Sequence, residues 1–303
     1  MSSHRLARGL AVAVLALAGA LAARPALAQT AATTVPTTPG RHARATVHAG
    51  IVRAYIISIP TGYDAARPAP LLLVFHGHGQ TARSFARRHP DLFREADAAG
   101  FILVLPQATT IGDPEGKPRW LTEVPDAFGV DDPGFVLGLV GTLSRSLAID
   151  ARRVHAAGFS NGGGMTHHLG ATRPDVFAAI AIVASGLGHP STAQPTAPVP
   201  ALLVYGRRDT TRPYDGEINE HGFLVPPARE IAEMWARADG CLPVPARRAS
   251  PGVTIDRYGG CREGTEVIFV TVDRMDHSWP DAADGWGFDM NETVIAFCWR
   301  HRN

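Results

Sequence analysis

The sequence lacks the excess of basic residues that binding to nucleic acid requires. Its 303 residues contain 29 Lys and Arg against 28 Asp and Glu. Residues 1–28 carry three arginines and no acidic residue, so the rest of the chain has 26 basic and 28 acidic side chains. Binding of a polyanion depends on clustered Lys and Arg. We therefore expect no nucleic-acid partner.

Cysteine is also scarce, with three residues in the chain. Three cysteines exclude a fold built on a disulfide framework but allow one bond in an oxidising compartment. Cys241 and Cys261 are the better pair, because both lie beside glycines in neighbouring loops. Cys298 lies in an apolar stretch with no group nearby that would activate a thiol, so we expect a buried free thiol there instead of a catalytic one.

Long apolar runs are absent after the first residues of the chain. His4 and Arg5 begin a basic start, an apolar run covers residues 10–21, and Ala26-Leu27-Ala28 forms a small-residue cleavage site. This order is typical of a secretory signal peptide, and the run is short for a membrane span. We predict a signal peptide over residues 1–28 and a secreted or periplasmic protein without stable membrane association. An uncleaved membrane anchor is the alternative.

Repeats, low-complexity arrays and internal linkers are absent as well. The stretch over residues 30–38 is rich in Ala, Thr and Pro, and we expect a disordered lead-in over residues 29–45. The length that remains suits one large domain or two small ones. Because no linker divides it, we predict a single catalytic domain over residues 46–303.

Short apolar runs alternate with stretches of helical periodicity. The run Leu71-Leu72-Leu73-Val74-Phe75 is continuous, as expected of a strand buried on both faces. Val136, Leu139 and Leu143 lie on one face of a helix that Asp132 is expected to cap. The alternation predicts the α/β class, with a mostly parallel central sheet and helices on both faces. Further strand-like runs cover residues 51–59, 101–105, 154–159, 178–184, 201–205 and 267–272.

One serine lies in a context that favours a nucleophile. A strand-like run leads directly into Gly158-Phe159-Ser160-Asn161-Gly162, a G-x-S-x-G motif, and a helix-like stretch follows it. A sharp turn from strand to helix holds such a serine in a strained conformation with its oxygen exposed. The glycines are needed because side chains there would collide with the neighbouring strand and helix. We predict that Ser160 is the nucleophile; an ordinary glycine-rich turn is the alternative.

A nucleophilic serine needs an acid and a histidine later in the chain. Asp209 and His277 each follow a strand-like apolar run. Both are therefore expected beyond the carboxyl ends of parallel strands, where such a sheet presents its functional groups. We expect His277 to take the proton of Ser160 and Asp209 to orient His277. Asp276 and Asp281 remain alternatives for the acid.

The first buried run ends in His76-Gly77-His78-Gly79-Gln80, an H-G-x-G turn. Turns of this type offer a backbone N–H to a developing oxyanion, together with the N–H of the residue after the nucleophile. We expect these two donors to be His78 and Asn161. The His-x-His pair also allows a metallohydrolase, but the following Gly79-Gln80-Thr81 supplies none of the further ligands that a dinuclear site needs. We expect no metal and no cofactor.

Together these segments resemble the secreted esterases grouped with polyhydroxybutyrate depolymerases, feruloyl esterases and acetylxylan esterases. The resemblance covers about residues 51–299. It is carried by the H-G-x-G turn, the G-x-S-x-G motif, Val130-Asp131-Asp132-Pro133-Gly134-Phe135-Val136 and His277-Ser278-Trp279-Pro280. The last two are the more particular. Asp131 and Asp132 match a motif that we interpret as structural, and Asp276 stands where this group usually has glycine.

The resemblance implies an α/β-hydrolase fold and hydrolysis of carboxylic esters through an acyl-enzyme. The catalytic positions of the family fall on Ser160, Asp209 and His277, in agreement with the choice made from the residues. Cys241 and Cys261 match a pair that the family often has.

The expected partner is a small or oligomeric ester, such as a feruloyl or acetyl ester. Trp279 and Trp120 are candidate walls for an aromatic acyl group, with ordinary core or rim tryptophans as the alternative. Cleavage of 3-hydroxybutyrate oligomers is the second candidate within the same chemistry, and the lack of an appended polymer-binding module disfavours attack on solid polyester. An acyltransferase and a catalytically inert binding protein on a hydrolase scaffold are the alternatives from other classes.

Overall fold

Strands and helices alternate along the chain, as the apolar runs predict. The computed structural model describes residues 34–122, 128–186, 192–218, 222 and 224–303, and the predicted signal peptide lies outside these residues. The strands are β1 (Gly40–His48), β2 (Ile51–Ile59), β3 (Ala69–Phe75), β4 (Ile102–Pro106), β5 (Ile149–Phe159), β6 (Ala179–Val183), β7 (Ala201–Gly206), β8 (Glu217–Ile218), β9 (Leu224–Val225), β10 (Ala246–Ser250), β11 (Val253–Tyr258) and β12 (Val267–Val272). The α-helices are α1 (Ala82–Arg88), α2 (Pro90–Ala98), α3 (Asp132–Ser146), α4 (Asn161–Thr172), α5 (Ala228–Ala238) and α6 (Met290–Arg300).

One large sheet organises the described part of the chain. Its strand order is β1-β2-β4-β3-β5-β6-β7-β12-β11-β10. The six strands from β4 to β12 pair in parallel, and the two strands at each margin pair antiparallel. Because the ends of parallel strands meet at one edge, the carboxyl ends of β3, β5, β7 and β12 all open on the same side of the sheet. The predicted sheet is therefore confirmed.

Side chains alternate between the two faces of the central strands, and each face is covered by helices. On one face, Leu71, Leu73 and Phe75 join the apolar side chains of α3, α4 and α5. On the other, Leu72 and Val74 join those of α1, α2 and α6. All five are at most 1% exposed, and burying a side chain of this size contributes about 1.5–3 kcal/mol. The prediction of helices on both faces is confirmed.

The folded part of the chain begins earlier than the sequence predicts. Residues 40–45, expected in a disordered lead-in, belong to β1, which pairs with β2 from Gly40 opposite Ile59 to His48 opposite Ile51. β1 was missed because it is an edge strand whose side chains are all at least partly exposed. An edge strand needs no continuous apolar run, so hydropathy gives it a weak signal.

The helix cap predicted at Asp132 belongs to the preceding residue. Asp131 is the N-cap of α3, and its Oδ1 accepts a hydrogen bond from Gly134 N at 2.8 Å. Asp132 is the first helical residue and is fully buried. The Asp132 carboxylate therefore does not cap the helix and makes other contacts.

The three cysteines have the states that the sequence favours. Cys241 and Cys261 are joined by a disulfide bond that closes 20 residues of chain between α5 and β12. Cys298 is a buried free thiol on α6, and burial raises its pKa. Within the described ranges, no helix has the length and apolar character that crossing a bilayer requires.

Candidate active site

Ser160 lies at the turn from β5 into α4, with φ of 52° and ψ of −123°. A positive φ is uncommon for a residue with a side chain and is a sign of stored backbone strain. The surrounding backbone holds this conformation at both ends. Ser160 N donates to Val183 O at 2.9 Å, and Ser160 O accepts from Gly164 N at 3.0 Å.

The glycines on either side of Ser160 are required by close packing. A Cβ atom on Gly158 would lie 2.2 Å from Gly162 O, and one on Gly162 would lie 2.3 Å from Phe75 O. Neither separation is compatible with a side chain, since both contacts are with backbone atoms. Gly162 therefore lets the start of α4 approach the end of β3, from which the H-G-x-G turn begins.

Ser160, His277 and Asp209 form one hydrogen-bonded chain. His277 Nε2 lies 2.8 Å from Ser160 Oγ, and His277 Nδ1 lies 2.7 Å from Asp209 Oδ2. An ionised carboxylate only accepts hydrogen bonds, so we assign the ring proton to Nδ1, which leaves Nε2 able to take a proton from the hydroxyl. This is the geometry of a nucleophile, its base and a group that orients the base.

Two loops hold Asp209 and His277 together. The Asp209 side chain is fully buried, and its Oδ1 accepts a hydrogen bond from Arg212 N at 2.7 Å. Arg208 N donates to Met275 O at 3.0 Å, which ties the loop after β7 to the loop after β12. A Cβ atom on Gly206 would lie 2.1 Å from Met275 O, so this approach also requires glycine.

The two alternative acids lie elsewhere. Asp276 is exposed to solvent. Asp281 caps a short 3-10 helix through Ala283 N at 2.9 Å, and its other oxygen lies 3.8 Å from His89. Of these three acids, Asp209 is the one that bonds the His277 ring.

The two expected oxyanion donors lie on segments that approach each other at Gly162, two residues after Ser160. Asn161 is the first residue of α4, and His78 lies in the H-G-x-G turn. Among the described residues, no backbone or side-chain acceptor is bound to the N–H of either. Gly79 N, by contrast, donates to Pro118 O at 2.9 Å. The N-terminus of a helix also presents unpaired N–H groups and a partial positive charge.

The rings of His76 and His78 are engaged in hydrogen bonds of their own. Burial lowers the pKa of His76 to about 4, so its imidazole is neutral. Its Nε2 accepts from Ala108 N at 3.2 Å, and its Nδ1 donates to Gly77 O at 2.8 Å. The exposed His78 ring donates from Nε2 to Asp113 Oδ2 at 2.8 Å. Across the described residues, no three His, Cys, Asp or Glu side chains converge as metal ligands.

The two tryptophans expected to line an aromatic pocket are core residues, which corrects that prediction. Trp120 has no exposed surface, and its Nε1 donates to His76 O at 3.0 Å. Trp279 is 3% exposed, and its Nε1 donates to Asn291 Oδ1 at 3.0 Å. A buried indole whose N–H is satisfied contributes packing, and neither ring has surface to offer an acyl group.

Two open clefts flank the candidate site. The first has a volume of about 440 Å³ and lies between the H-G-x-G turn and α1, where Arg87 and Arg88 line it. The second has a volume of about 370 Å³ and lies beside Asp209, with Asp215 and Glu217 in its wall. The described residues that line the first cleft include arginines and no acidic residue, whereas those of the second include both arginines and acidic residues.

Two sets of contacts near the site were missed by sequence reasoning. The Asn161 side chain is bonded to the backbone of Trp120, and the buried Asp132 carboxylate is paired with Arg53. The motif around Asp132 was the available signal, but its partner lies 79 residues away, and one sequence gives no sign of such a pairing.

The fold is that of the α/β-hydrolase class, and the comparisons with known proteins agree. The family model described as "Esterase PHB depolymerase" matches residues 53–209. The acetyl xylan esterase from Aspergillus awamori superposes with a TM-score of 0.58 at 17% identity, over 81% of this chain and 94% of that one. At that identity the likeness concerns the fold.

Two curated relatives extend the match. NocK of Nocardia uniformis subsp. tsuyamanensis, whose name assigns it provisionally to the esterases, is 35% identical over 78% of this chain and 74% of its own length. Feruloyl esterase B of Piromyces equi is 26% identical over 78% of this chain but 44% of its own length. The chain therefore belongs to the Esterase PHB depolymerase family.

Proposed function

We propose that this protein is an exported serine esterase that hydrolyses soluble carboxylic esters through an acyl-enzyme. The hydrogen-bonded chain from Ser160 Oγ through His277 to the buried Asp209 carries the proposal. The strained backbone of Ser160 supports it independently, because such strain concentrates at functional residues.

The reaction proceeds in two halves. His277 Nε2 takes the hydroxyl proton as Ser160 Oγ bonds to the ester carbonyl carbon, and the carbonyl π electrons move to its oxygen. The intermediate then expels the alcohol, which receives the proton from His277, and leaves the acyl group on Ser160. A water molecule repeats the sequence in the second half and releases the acid. Asp209 holds the Nδ1–H tautomer and stabilises the imidazolium that forms in each half.

Two backbone N–H groups stabilise the negative oxygen of each tetrahedral intermediate. These are the N–H of His78 and the N–H of Asn161, which have no other acceptor among the described residues. A donor of this kind is worth about 10² to 10³ in rate. The N-terminus of α4 adds a favourable field at the same oxygen.

Feruloyl and acetyl esters are the proposed substrates, with soluble 3-hydroxybutyrate oligomers as the second candidate. The first choice is supported by relatives named feruloyl esterase and bifunctional acetylxylan esterase/xylanase. The second is supported by the description of the family model. Two loops contribute described residues near the site, since Asp113 contacts His78 and Glu217 lines the cleft beside Asp209. Residues 123–127, 219–221 and 223 of these loops lie outside the described ranges.

Export is supported by the N-terminal sequence and by the disulfide bond. The basic start, apolar run and small-residue site of residues 1–28 have the order of a signal peptide. The bond between Cys241 and Cys261 suits an oxidising compartment. The proposal predicts that N-terminal sequencing of the protein recovered outside the cytoplasm begins near Gln29. Retention of residues 1–28 in that material would contradict it.

The test compares initial rates on p-nitrophenyl butyrate, methyl ferulate and a soluble 3-hydroxybutyrate trimer. The wild-type protein is expected to turn over the activated ester and at least one natural ester, and Ser160→Ala is expected to abolish both activities. Ser144→Ala is a matched control, because Ser144 lies on α3 and its hydroxyl donates to Val140 O of the same helix, its one partner among the described residues.

Each outcome has a distinct meaning. Rapid turnover of one natural ester that depends on Ser160 supports the mechanism and identifies the substrate class. Turnover of the nitrophenyl ester alone contradicts the proposed substrates, and acyl transfer to added sugars is then measured. Absence of any turnover in a folded wild-type protein overturns the esterase proposal in favour of an inert binding protein.

A further inference from the structure

A short segment, Pro118-Arg119-Trp120-Leu121, connects the two proposed oxyanion donors; we call it the strap. On one side it holds the H-G-x-G turn. Pro118 O accepts from Gly79 N at 2.9 Å, and Trp120 Nε1 donates to His76 O at 3.0 Å. His78, whose N–H is one proposed donor, lies between these two anchored residues.

On its other side the strap holds the residue that provides the second donor. Trp120 N donates to Asn161 Oδ1 at 2.6 Å, and Asn161 Nδ2 donates to Trp120 O at 3.1 Å. The Asn161 amide therefore forms a reciprocal pair with one backbone unit of the strap. Asn161 is 6% exposed, so this pair is shielded from water.

Behind the strap lies a buried ion pair. Asp132 Oδ2 accepts from Leu121 N at 2.8 Å, and Asp132 Oδ1 lies 2.5 Å from an Arg53 guanidinium nitrogen. The two side chains are 0% and 2% exposed. Arg53 also donates to Gln107 O at 3.2 Å and stacks 4.0 Å from the centre of the Phe135 ring. Asp132 is thus fixed by β2 and α3 while it holds the strap.

We propose that the Asn161 side chain, Asp132 and Arg53 are positioning residues that set the separation of the two oxyanion donors through the strap. The inference rests on the proposed function, because it concerns the oxyanion hole of that reaction. None of the three side chains reacts with the ester. Oxyanion stabilisation depends on donors held in place before the reaction, and a misplacement of 1 Å costs about 100-fold in rate.

The arrangement also accounts for the paired acids of the Val130–Val136 motif without a chemical role for either. Asp131 caps α3, whereas Asp132 uses one oxygen for Leu121 N and the other for Arg53. A carboxylate buried only for stability would need the arginine but not the strap N–H. The second contact links the motif to the site.

The chain offers a matched control in Asp256 of β11. Its carboxylate is 1% exposed and is paired with Arg229 at 2.8 Å and Arg247 at 2.6 Å. Both of its oxygens contact arginines, and it lies at the opposite margin of the sheet from β2. Asp256→Asn therefore removes a buried ion pair without affecting the strap.

The experiment measures kcat, KM and the inhibition constant of a trifluoromethyl ketone for Asp132→Asn, Asn161→Ala and Asp256→Asn. The ketone forms a tetrahedral adduct with the serine and places an oxyanion in the hole. We expect kcat of the first two variants to fall about 10- to 100-fold, KM to change less than about threefold, and inhibition to weaken by the same factor as kcat. Asp256→Asn keeps kcat and inhibition within about twofold of wild type.

Thermal unfolding separates positioning from stability. Asp132→Asn leaves the buried Arg53 unpaired and is expected to lower the unfolding midpoint, so rates are compared at temperatures where each variant is folded. Asn161→Ala creates no unpaired charge and keeps the test valid if Asp132→Asn does not fold.

Three outcomes overturn the inference. Unchanged kcat and inhibition in Asn161→Ala, or equal losses of activity in Asp132→Asn and Asp256→Asn, contradict positioning while wild-type turnover leaves the esterase proposal intact. An inactive, folded wild-type protein that also fails to react with the ketone overturns both proposals together.

Discussion

Two regions of the sheet contain the same kind of ion pair and use it differently. Near the candidate site, Asp132 binds Arg53 with one oxygen and a loop N–H with the other. At the far margin, Asp256 gives both oxygens to Arg229 and Arg247. The first carboxylate fixes a loop against the sheet, and the second joins side chains of α5 and β10 to β11. The two carboxylates therefore differ in what their second oxygen binds. In Asp132 it accepts from a backbone N–H near the site, which suits a positioning role, whereas in Asp256 it accepts from another arginine, which suits a purely structural one.

The two regions also differ in how closely their backbone segments approach each other. At the site, Ser160 has φ of 52° although it carries a side chain. A Cβ atom added to Gly158, Gly162 or Gly206 would lie within 2.4 Å of a backbone atom. At the far margin, Gly252 has positive φ in a turn with its nearest neighbour at 3.6 Å. The closest backbone approaches are thus found at the site, whereas a positive φ alone does not distinguish it, since Ala49 and Glu263 also have positive φ.

The largest expected effect is a loss of kcat when Asp209, which is expected to orient His277, is replaced. Asp209→Asn keeps the shape of the buried side chain, but the amide no longer fixes the productive His277 tautomer. We expect kcat for ester hydrolysis to fall about 10⁴-fold, as is typical for the acid of such a triad. Asp273→Asn is the control, because Asp273 is half exposed and pairs with Arg207 on the surface. A loss of less than tenfold in Asp209→Asn would remove Asp209 from the mechanism.

The next effect concerns close packing beneath the serine. Gly162→Ala would bring a methyl group to 2.3 Å from Phe75 O, so α4 has to move away from β3. We expect the free energy of unfolding to fall by about 3 kcal/mol, within the range for overpacked cores, together with most of the activity. Gly259→Ala, at a site with nothing within 4 Å, is expected to change neither. Similar unfolding curves for the two variants would show that α4 tolerates the shift.

A third prediction tests whether the far margin affects stability alone. The double substitution Cys241→Ser and Cys261→Ser opens a closed segment of 20 residues. In the chain-entropy model it lowers the free energy of unfolding by about 3 kcal/mol. Activity at 25 °C is expected to stay within about twofold, and Cys298→Ala, which keeps the bond, is the control. A parallel loss of kcat would contradict the separation of the two regions.

The last effect is one of stability alone and depends on pH. Burial raises the pKa of Asp239 to about 6, so the folded state binds this proton more tightly than the unfolded chain does. Its contribution to stability is complete below pH 4 and is lost as pH rises through 6. The always-neutral Asp239→Asn is therefore expected to gain up to about 3 kcal/mol of stability relative to wild type between pH 4 and pH 7.

Glu266 supplies a control of opposite sign. Burial acts to raise its pKa, but hydrogen bonds from His301 and Arg300 and the charge of Arg257 lower it to about 2. Its contribution is present above the unfolded pKa and is lost as pH falls toward 2. Glu266→Gln is therefore expected to lose stability relative to wild type as pH rises from about 2 to 4.5, with a constant difference above that pH. Urea unfolding at several pH values measures the free energy of unfolding of both variants. Parallel pH profiles for Asp239→Asn and Glu266→Gln would contradict the opposite directions of the two pKa shifts.

The sequence carried enough information to predict the sheet and the meeting of Ser160, Asp209 and His277. Buried parallel strands are continuous apolar runs, and the residues after them necessarily share one edge of the sheet. The position of a residue at a strand end thus follows from local hydropathy alone.

Other features were beyond such reasoning for physical reasons. β10 is exposed at every residue and gave no apolar pattern. The pairing of Arg53 with Asp132, and the burial of Trp120 under the H-G-x-G turn, depend on how distant segments pack. Composition does not distinguish a tryptophan in the core from one at a pocket wall, because both need an apolar surface and a partner for the indole N–H.

The most direct test of the central claim is reaction of the purified protein with a fluorophosphonate, followed by intact-mass measurement and peptide mapping. The account predicts one adduct per chain, located on Ser160, absent from Ser160→Ala and formed far more slowly in His277→Ala. An unmodified wild-type protein, or an adduct on another serine, would contradict it.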